Sequence, residues 1–228
     1  MALNERAIRQ PAESVLATNK VLRNTYALLS MTLLFSAAAA AVSVVMGVGH
    51  GAGLISTLVA FALVWFVLPR VANSAAGIPV VFLFTGLLGF GLGPMLSYYL
   101  AMPGGSSLIM TALGGTGLVF LGLSGYALTT RKDFSFLGGM LFVGMFVVLL
   151  GILAVLVLGF FGIAVPAAQL AISAVLVLLM SGFILFDTSR IIHGGERNYI
   201  MATVALYLDI HILFQNLLHL LGAFGSND

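Results

Sequence analysis

Seven long apolar runs, separated by short links, are the feature of this sequence that most restricts its fold. They cover roughly residues 26–47, 52–69, 79–100, 106–129, 136–160, 166–191 and 199–221. About 20 helical residues cross the ~30 Å hydrocarbon core of a bilayer, and short links make successive helices antiparallel. With 61% hydrophobic and 7% charged residues, the chain is not an ordinary soluble domain. We predict an all-α integral membrane protein with seven transmembrane helices in one domain, residues 25–228.

Residues 1–24 precede the first run and are polar, with charges of both signs. Such a segment lacks the apolar side chains that a packed core needs. We therefore predict a flexible N-terminal tail.

The basic residues indicate the orientation of the helices in the membrane. All nine lie before the first run, in alternate links or, for Arg190, at the end of a run beside such a link: Arg6, Arg9, Lys20, Arg23, Arg70, Arg131, Lys132, Arg190 and Arg197. By the positive-inside rule, the N-terminus is cytoplasmic and the C-terminus lies outside. Orientation alone accounts for these charges, so the net charge of +2 does not indicate a nucleic-acid partner.

The seventh run is the most polar of the seven. At 100° per residue, Asp209 and Asn216 share one face, whereas Tyr207, His211 and Gln215 share the opposite face. Polar side chains inside a membrane normally face other helices or a wet cavity. We therefore predict that the seventh helix is central and wrapped by the other six.

Asp187 and Asp209 are the only acidic residues inside apolar runs, in the sixth and seventh helices. Their depths differ by about five residues, or ~7 Å, and side chains tilt toward the N-terminus of their own helix, which brings the two together. If they meet, the carboxyl groups can share one proton near neutral pH. Their oxygens are also possible Ca²⁺ ligands, although Ca²⁺ takes six to eight. Alternatively, Asp187 only pairs with Arg190 while Asp209 stays protonated and hydrogen-bonded.

The sequence gives little indication of an enzyme. Gly122 to Gly125 match the GxSG string of rhomboid proteases, but four residues in a glycine-rich membrane protein are weak evidence. Phosphate-binding, dinucleotide-binding and metalloprotease motifs are absent from the sequence. We expect no catalytic residues and no cofactor, with calcium as a possible permeant or bound ion.

Longer motifs resemble the Bax inhibitor-1 family along nearly the whole chain. They are GFGLGPMLSYYL at 89–100, LFDTSRII at 185–192 and ALYLDIHILFQNLLHLL at 205–221. Three further strings are similar to a bacterial inner-membrane branch of that family: KVLRNTYALLSMTL at 20–33, LTTRKDFSFLGGML at 128–141 and IIHGGERNYIMATVALY at 191–207.

This resemblance implies a seven-helix fold with the last helix at its centre. It also implies that Asp187 and Asp209 are the family's aspartate pair, a pH sensor that gates a calcium leak. A basic residue takes part in that latch in some members, and Arg70 is the candidate here; Arg190 is a second candidate. The bacterial branch implies a different role, in which the protein binds and restrains the membrane-anchored ATP-dependent protease FtsH.

Overall fold

The computed structural model describes residues 2–225, and it describes side chains from residue 20 onward. Within that range, seven helices are long and apolar enough to cross a membrane, as predicted. Their bounds are α1 (Ala2–Val45), α2 (His50–Val71), α3 (Gly77–Leu100), α4 (Gly105–Thr130), α5 (Leu137–Phe160), α6 (Pro166–Ile192) and α7 (Tyr199–Gly225).

The first membrane span lies within α1, at Lys20–Val45. The backbone of α1 begins at Ala2. Flexibility of a tail over residues 1–24 stays a prediction, because it falls mainly on residues whose side chains lie outside the described part.

Cα packing divides the chain into two compact units. The first contains residues 1–96 and 189–207, and therefore α1, α2, most of α3 and the adjoining ends of α6 and α7. The second contains residues 97–188 and 208–228, and therefore α4, α5, most of α6 and the remainder of α7.

In the first unit, glycines of α3 allow neighbouring helices to come close. A Cβ on Gly89 would lie 2.6 Å from Oγ of Ser36 in α1, and one on Gly93 would lie 2.5 Å from Cβ of Ser43. Helices in lipid associate through small residues that let their backbones approach closely. The glycines before Pro94 let α3 pack against α1 in this way, and α3 continues through Pro94 as one helix.

Helix α2 contains a π-helical stretch, Leu63–Val67. Leu68 there donates its N–H to the carbonyl of Leu63, five residues back. The following residue, Pro69, has no N–H to donate, so regular α-helical bonding is interrupted at this point. The helix nevertheless resumes and ends at Val71, two residues beyond the predicted end.

In the second unit, glycines and leucines interlock between α5 and α6. A Cβ on Gly144 would lie 2.6 Å from Cδ2 of Leu179, and one on Gly182 would lie 2.6 Å from Cδ2 of Leu141. The rest of α5 is exposed and strongly apolar, with 11% of its best membrane-spanning window buried. A surface of this kind suits contact with lipid acyl chains.

Candidate functional site

The aspartate pair, Asp187 and Asp209, is brought together in the second unit. Asp187 lies five residues before the end of α6 at Ile192, and Asp209 lies ten residues after the start of α7 at Tyr199. Both side chains are buried, with 9% and 6% of their surface exposed. They approach closely enough for a side-chain hydrogen bond. The contact predicted from helix depth and side-chain tilt is therefore present.

A hydrogen bond between two carboxyl groups requires at least one proton, because an ionised carboxylate only accepts hydrogen bonds. The pair therefore holds at least one proton when it is in contact. The second oxygen of Asp209, Oδ2, is buried and has no hydrogen-bond partner among the described residues. An unpaired buried oxygen is costly, and it is the kind of group that binds a proton, a water molecule or a cation. A role of this pair in sensing pH stays a prediction.

Two basic side chains were candidates for the aspartate latch. Arg190, near the end of α6, lies 3.7 Å from the carboxylate of Glu196, which belongs to the link between α6 and α7. Arg70 is exposed and donates a hydrogen bond to the carbonyl of Phe66 in its own helix. Both contacts lie in the first unit, and a latch role for either arginine stays a prediction.

A bound calcium ion would need more ligands than the aspartate pair provides. In the part of the chain that the structure describes, no three His, Cys, Asp or Glu side chains are grouped as a possible metal site. Ca²⁺ takes six to eight oxygen ligands, so water or backbone carbonyls would have to supply most of them. Weak or transient binding fits two carboxyl groups better than a permanent site does.

A buried hydrogen-bonded tyrosine in the first unit was not identified from the sequence as a functional contact. The hydroxyl of Tyr207 in α7 shares a 2.6 Å hydrogen bond with Oγ of Ser36 and donates to the carbonyl of Thr85 at 3.2 Å. The ring also contacts Phe84 edge to face, with centroids 5.8 Å apart. Tyr207 thus links α7 to α1 and α3. The polarity of the seventh run was the only sequence signal for it.

Asn198 connects two links of the first unit. Its side-chain amide donates to the carbonyl of Ala72 at 3.0 Å and to Oδ1 of Asn73 at 2.8 Å. Its Oδ1 accepts from the backbone N–H groups of Ile200 and Met201 at 2.9 and 3.2 Å, which caps α7. One side chain therefore fixes both the start of α7 and the end of α2. An asparagine before an apolar run is the sequence signal for such a cap.

The two histidines of α7 are both hydrogen-bonded. His211 lies 3.1 Å from the side-chain amide of Gln215, one turn further along α7. His219 lies 2.8 Å from Oγ of Ser173 in α6. The serine of the GxSG string, Ser124, is 2% exposed and lies 3.3 Å from Oγ1 of Thr188.

Comparison with known proteins agrees with the motifs. The family described as inhibitor of apoptosis-promoting Bax1 matches residues 18–226. A protein of Escherichia coli named "Modulator of FtsH protease YccA" is 53% identical over 215 residues, which are 94% of each chain. The counterpart in another Escherichia coli strain has the same identity and is named "Inner membrane protein YccA".

An uncharacterised membrane protein of Vibrio cholerae is 51% identical over 216 residues, 95% of each chain. An uncharacterised protein of Pseudomonas aeruginosa is 50% identical over 208 residues, 91% of each chain. The names of these relatives describe membrane proteins and a modulator rather than an enzyme. Because the family match extends over most of the sequence, the chain belongs to the Bax inhibitor-1 family.

Proposed function

We propose that this protein resides in the bacterial inner membrane and restrains a membrane-bound ATP-dependent protease of the FtsH type. The observation that carries the proposal is the similarity, over 94% of the chain, to a protein named as a modulator of that protease. The family match covers residues 18–226 and therefore all seven candidate spans, so the similarity is not confined to one part of the chain.

The proposed arrangement in the membrane has a cytoplasmic N-terminus, an external C-terminus and α7 at the centre of the bundle. All nine basic residues on one side support this orientation. Support for a central α7 comes in part from its burial: 44% of its best membrane-spanning window is buried, second to the 50% of α3 and above the 11–33% of the other five spans. The arrangement places residues 1–24 on the side where a cytoplasmic ATPase would engage them.

The proposed restraint has a mechanical basis. A protease of this type pulls on a terminal segment of its substrate. In this chain, residues 1–24 precede the first apolar run and would serve as that segment. The helix behind that segment, α1, is held by the backbone of Ser36 against Gly89 and by the Ser36–Tyr207 hydrogen bond. Close backbone packing and a buried hydrogen bond both resist extraction from lipid. The protease is thus occupied by a chain that it processes slowly.

Deletion of residues 1–20 tests this mechanism. In a reconstituted membrane with the purified protease and a second reporter substrate, the deletion should abolish both degradation of this protein and inhibition of reporter cleavage. Deletion of residues 226–228 at the other terminus is the matched control and should change neither rate. Undiminished inhibition by the chain lacking residues 1–20 would exclude the tail mechanism.

A second candidate function is a pH-sensitive calcium leak gated by the aspartate pair. The contact between Asp187 and Asp209 and the unpaired Oδ2 of Asp209 favour it. Both features place proton-binding oxygens inside membrane-spanning helices, where ionisable groups usually have a function. The leak requires no protein partner, so it can be measured with the pure protein.

Calcium flux into liposomes across a pH series tests the leak. Flux should change with pH in the unmodified protein, whereas Asp209→Asn should lose the pH dependence, because asparagine keeps the size of the side chain but does not titrate. Asp133→Asn, which changes an acidic residue in the link between α4 and α5, is the control and should retain the response. Flux equal to that of empty vesicles at every pH would exclude the leak.

A further inference from the structure

Helices α6 and α7 have a second polar contact in addition to the aspartate pair. Oγ of Ser173 and Nδ1 of His219 share a hydrogen bond of 2.8 Å. Ser173 precedes Asp187 by 14 residues, or ~21 Å of helix, and His219 follows Asp209 by ten residues, or ~15 Å. All four residues belong to the second unit. The seam, meaning the facing surfaces of α6 and α7 between these contacts, is thus polar at both ends.

On the α6 side the middle of the seam is apolar and buried, whereas on the α7 side Asn216 shares the face of Asp209 and donates to the carbonyl of Ile212 in its own helix. Met180 is seven residues from both Ser173 and Asp187, so all three lie within about 40° on α6. Met180 is 1% exposed, and Leu213, on the first turn of α7 after Asp209, is 0% exposed. Buried apolar side chains between polar groups keep water out, and hydrophobic constrictions can gate channels by dewetting.

The serine–histidine contact differs from the usual arrangement of serine in a membrane helix. Ser181, also in α6, donates its hydroxyl to the carbonyl of Val177 in its own helix at 2.7 Å. That bond satisfies the hydroxyl without involving another helix. Ser173 instead bonds a histidine on the neighbouring helix, and such interhelical bonds fix one helix against the other.

We propose that Ser173 and His219 form a second closure of the α6–α7 seam, in series with the aspartate pair. Water and small hydrated cations reach the Met180 section only when a closure opens. If only the aspartate pair opens, water and cations enter the seam from one side. Passage through the whole seam requires that both closures open. This inference rests on the proposed calcium leak, for which the seam would be the ion path. The closure itself can be measured without any ion flux.

The chain has no cysteine, so Met180→Cys introduces a single thiol into the middle of the seam. The measurement is the rate at which this thiol reacts with a positively charged, membrane-impermeant methanethiosulfonate in liposomes. Adding Ser173→Ala should raise the rate roughly threefold to tenfold, since losing an interhelical hydrogen bond in a membrane shifts a two-state equilibrium by about that range of factors. Ser173→Thr, which keeps the hydroxyl, should restore the slow rate, and the control Ser181→Ala should leave it unchanged.

A metal bridge provides an independent test in otherwise unmodified protein. Ser173→Cys places a thiol beside the imidazole of His219, and sulfur and imidazole nitrogen are both ligands for Zn²⁺. Micromolar Zn²⁺ should lower calcium flux through this variant and a chelator should restore it. Ser181→Cys should be insensitive to Zn²⁺, because the Ser181 hydroxyl bonds the carbonyl of Val177 in its own helix rather than a histidine.

Failure of the closure and failure of the leak give different results. Equal thiol reaction rates in the Ser173→Ala and Ser181→Ala backgrounds would overturn the second closure, whatever the flux. The thiol reaction rate could instead rise with Ser173→Ala but not with Ser181→Ala, in liposomes whose calcium flux equals that of empty vesicles. That result would establish the closure as a barrier to water and would exclude the leak. A rise that Ser173→Thr does not reverse would indicate general loosening of the helix and would also overturn the proposal.

Discussion

The contact between Gly89 and Ser36 gives the sharpest prediction for stability. A Cβ added to Gly89 would lie 2.6 Å from Oγ and 2.8 Å from the carbonyl carbon of Ser36, and closer still to the carbonyl oxygen. Backbone atoms cannot rotate away as the tip of a flexible side chain can. Gly89→Ala therefore has to push α3 and α1 apart.

The magnitude follows from three contributions. Overpacking of a filled interior costs about 1–3 kcal/mol. Separation of the helices also stretches the 2.6 Å Ser36–Tyr207 hydrogen bond, which adds about 1 kcal/mol for an interhelical bond in a membrane. Alanine returns about 1 kcal/mol because it favours helix more than glycine does. The net loss of unfolding free energy is therefore about 1–3 kcal/mol, or a fall in Tm of roughly 3–10 °C for a chain of this size.

Thermal unfolding in detergent, followed by circular dichroism, measures this effect. Gly114→Ala is the matched control, because a Cβ there would meet nothing within 4 Å. Both substitutions gain the same helix preference, so the difference between their Tm values isolates the contact with Ser36. Equal Tm values for the two variants would refute the close packing of α3 against α1.

Three further stability measurements follow from the same contacts. Asn198→Ala should lower the unfolding free energy by about 1–3 kcal/mol, because it removes a helix cap and two cross-link hydrogen bonds; Asn198→Asp keeps the cap and should lose less. Tyr207→Phe should cost about 0.5–2 kcal/mol, and in a double-mutant cycle with Ser36→Ala the two losses should add only in part, since both remove the Ser36–Tyr207 hydrogen bond while Tyr207→Phe also removes the bond to the carbonyl of Thr85. Gly182→Ala should cost less than Gly89→Ala, as its Cβ meets only the tip of a leucine side chain; a larger fall in Tm than at Gly89 would contradict this order.

The number and approximate bounds of the helices could be predicted from the sequence because the bilayer requires long apolar runs of nearly fixed length. The meeting of Asp187 and Asp209 could be predicted for a related reason. A short link makes α6 and α7 antiparallel neighbours, so counting residues on both sides of the link gives the relative depth of the two carboxyl groups. The depth of a residue within the membrane can thus be predicted by counting residues along its helix. The sequence does not predict in the same way which other helices that residue contacts.

The partners that depend on helix rotation could not be predicted. The bond between His219 and Ser173 depends on how α6 is turned toward α7, and no pattern in either run specifies that turn. Arg190 likewise has an ion-pair partner, Glu196, in a link whose backbone path the sequence does not define. The GxxxG spacing of Gly89 and Gly93 indicated close packing, whereas its target, α1, emerged only from the fold.

The two candidate functions depend on different residues, so two substitutions can separate them. Restraint of the protease relies on the resistance of α1 to extraction, and Gly89→Ala weakens the packing that supplies it. The leak relies on a titratable carboxyl group, which Asp209→Asn removes with almost no change in volume. Gly89→Ala should therefore accelerate degradation by the protease and leave the pH dependence of calcium flux intact. Asp209→Asn should leave the degradation rate unchanged and abolish the pH dependence of calcium flux. If either variant abolishes both activities, while its Tm stays above the assay temperature, the two roles share one conformational change and the mechanical account of restraint is wrong.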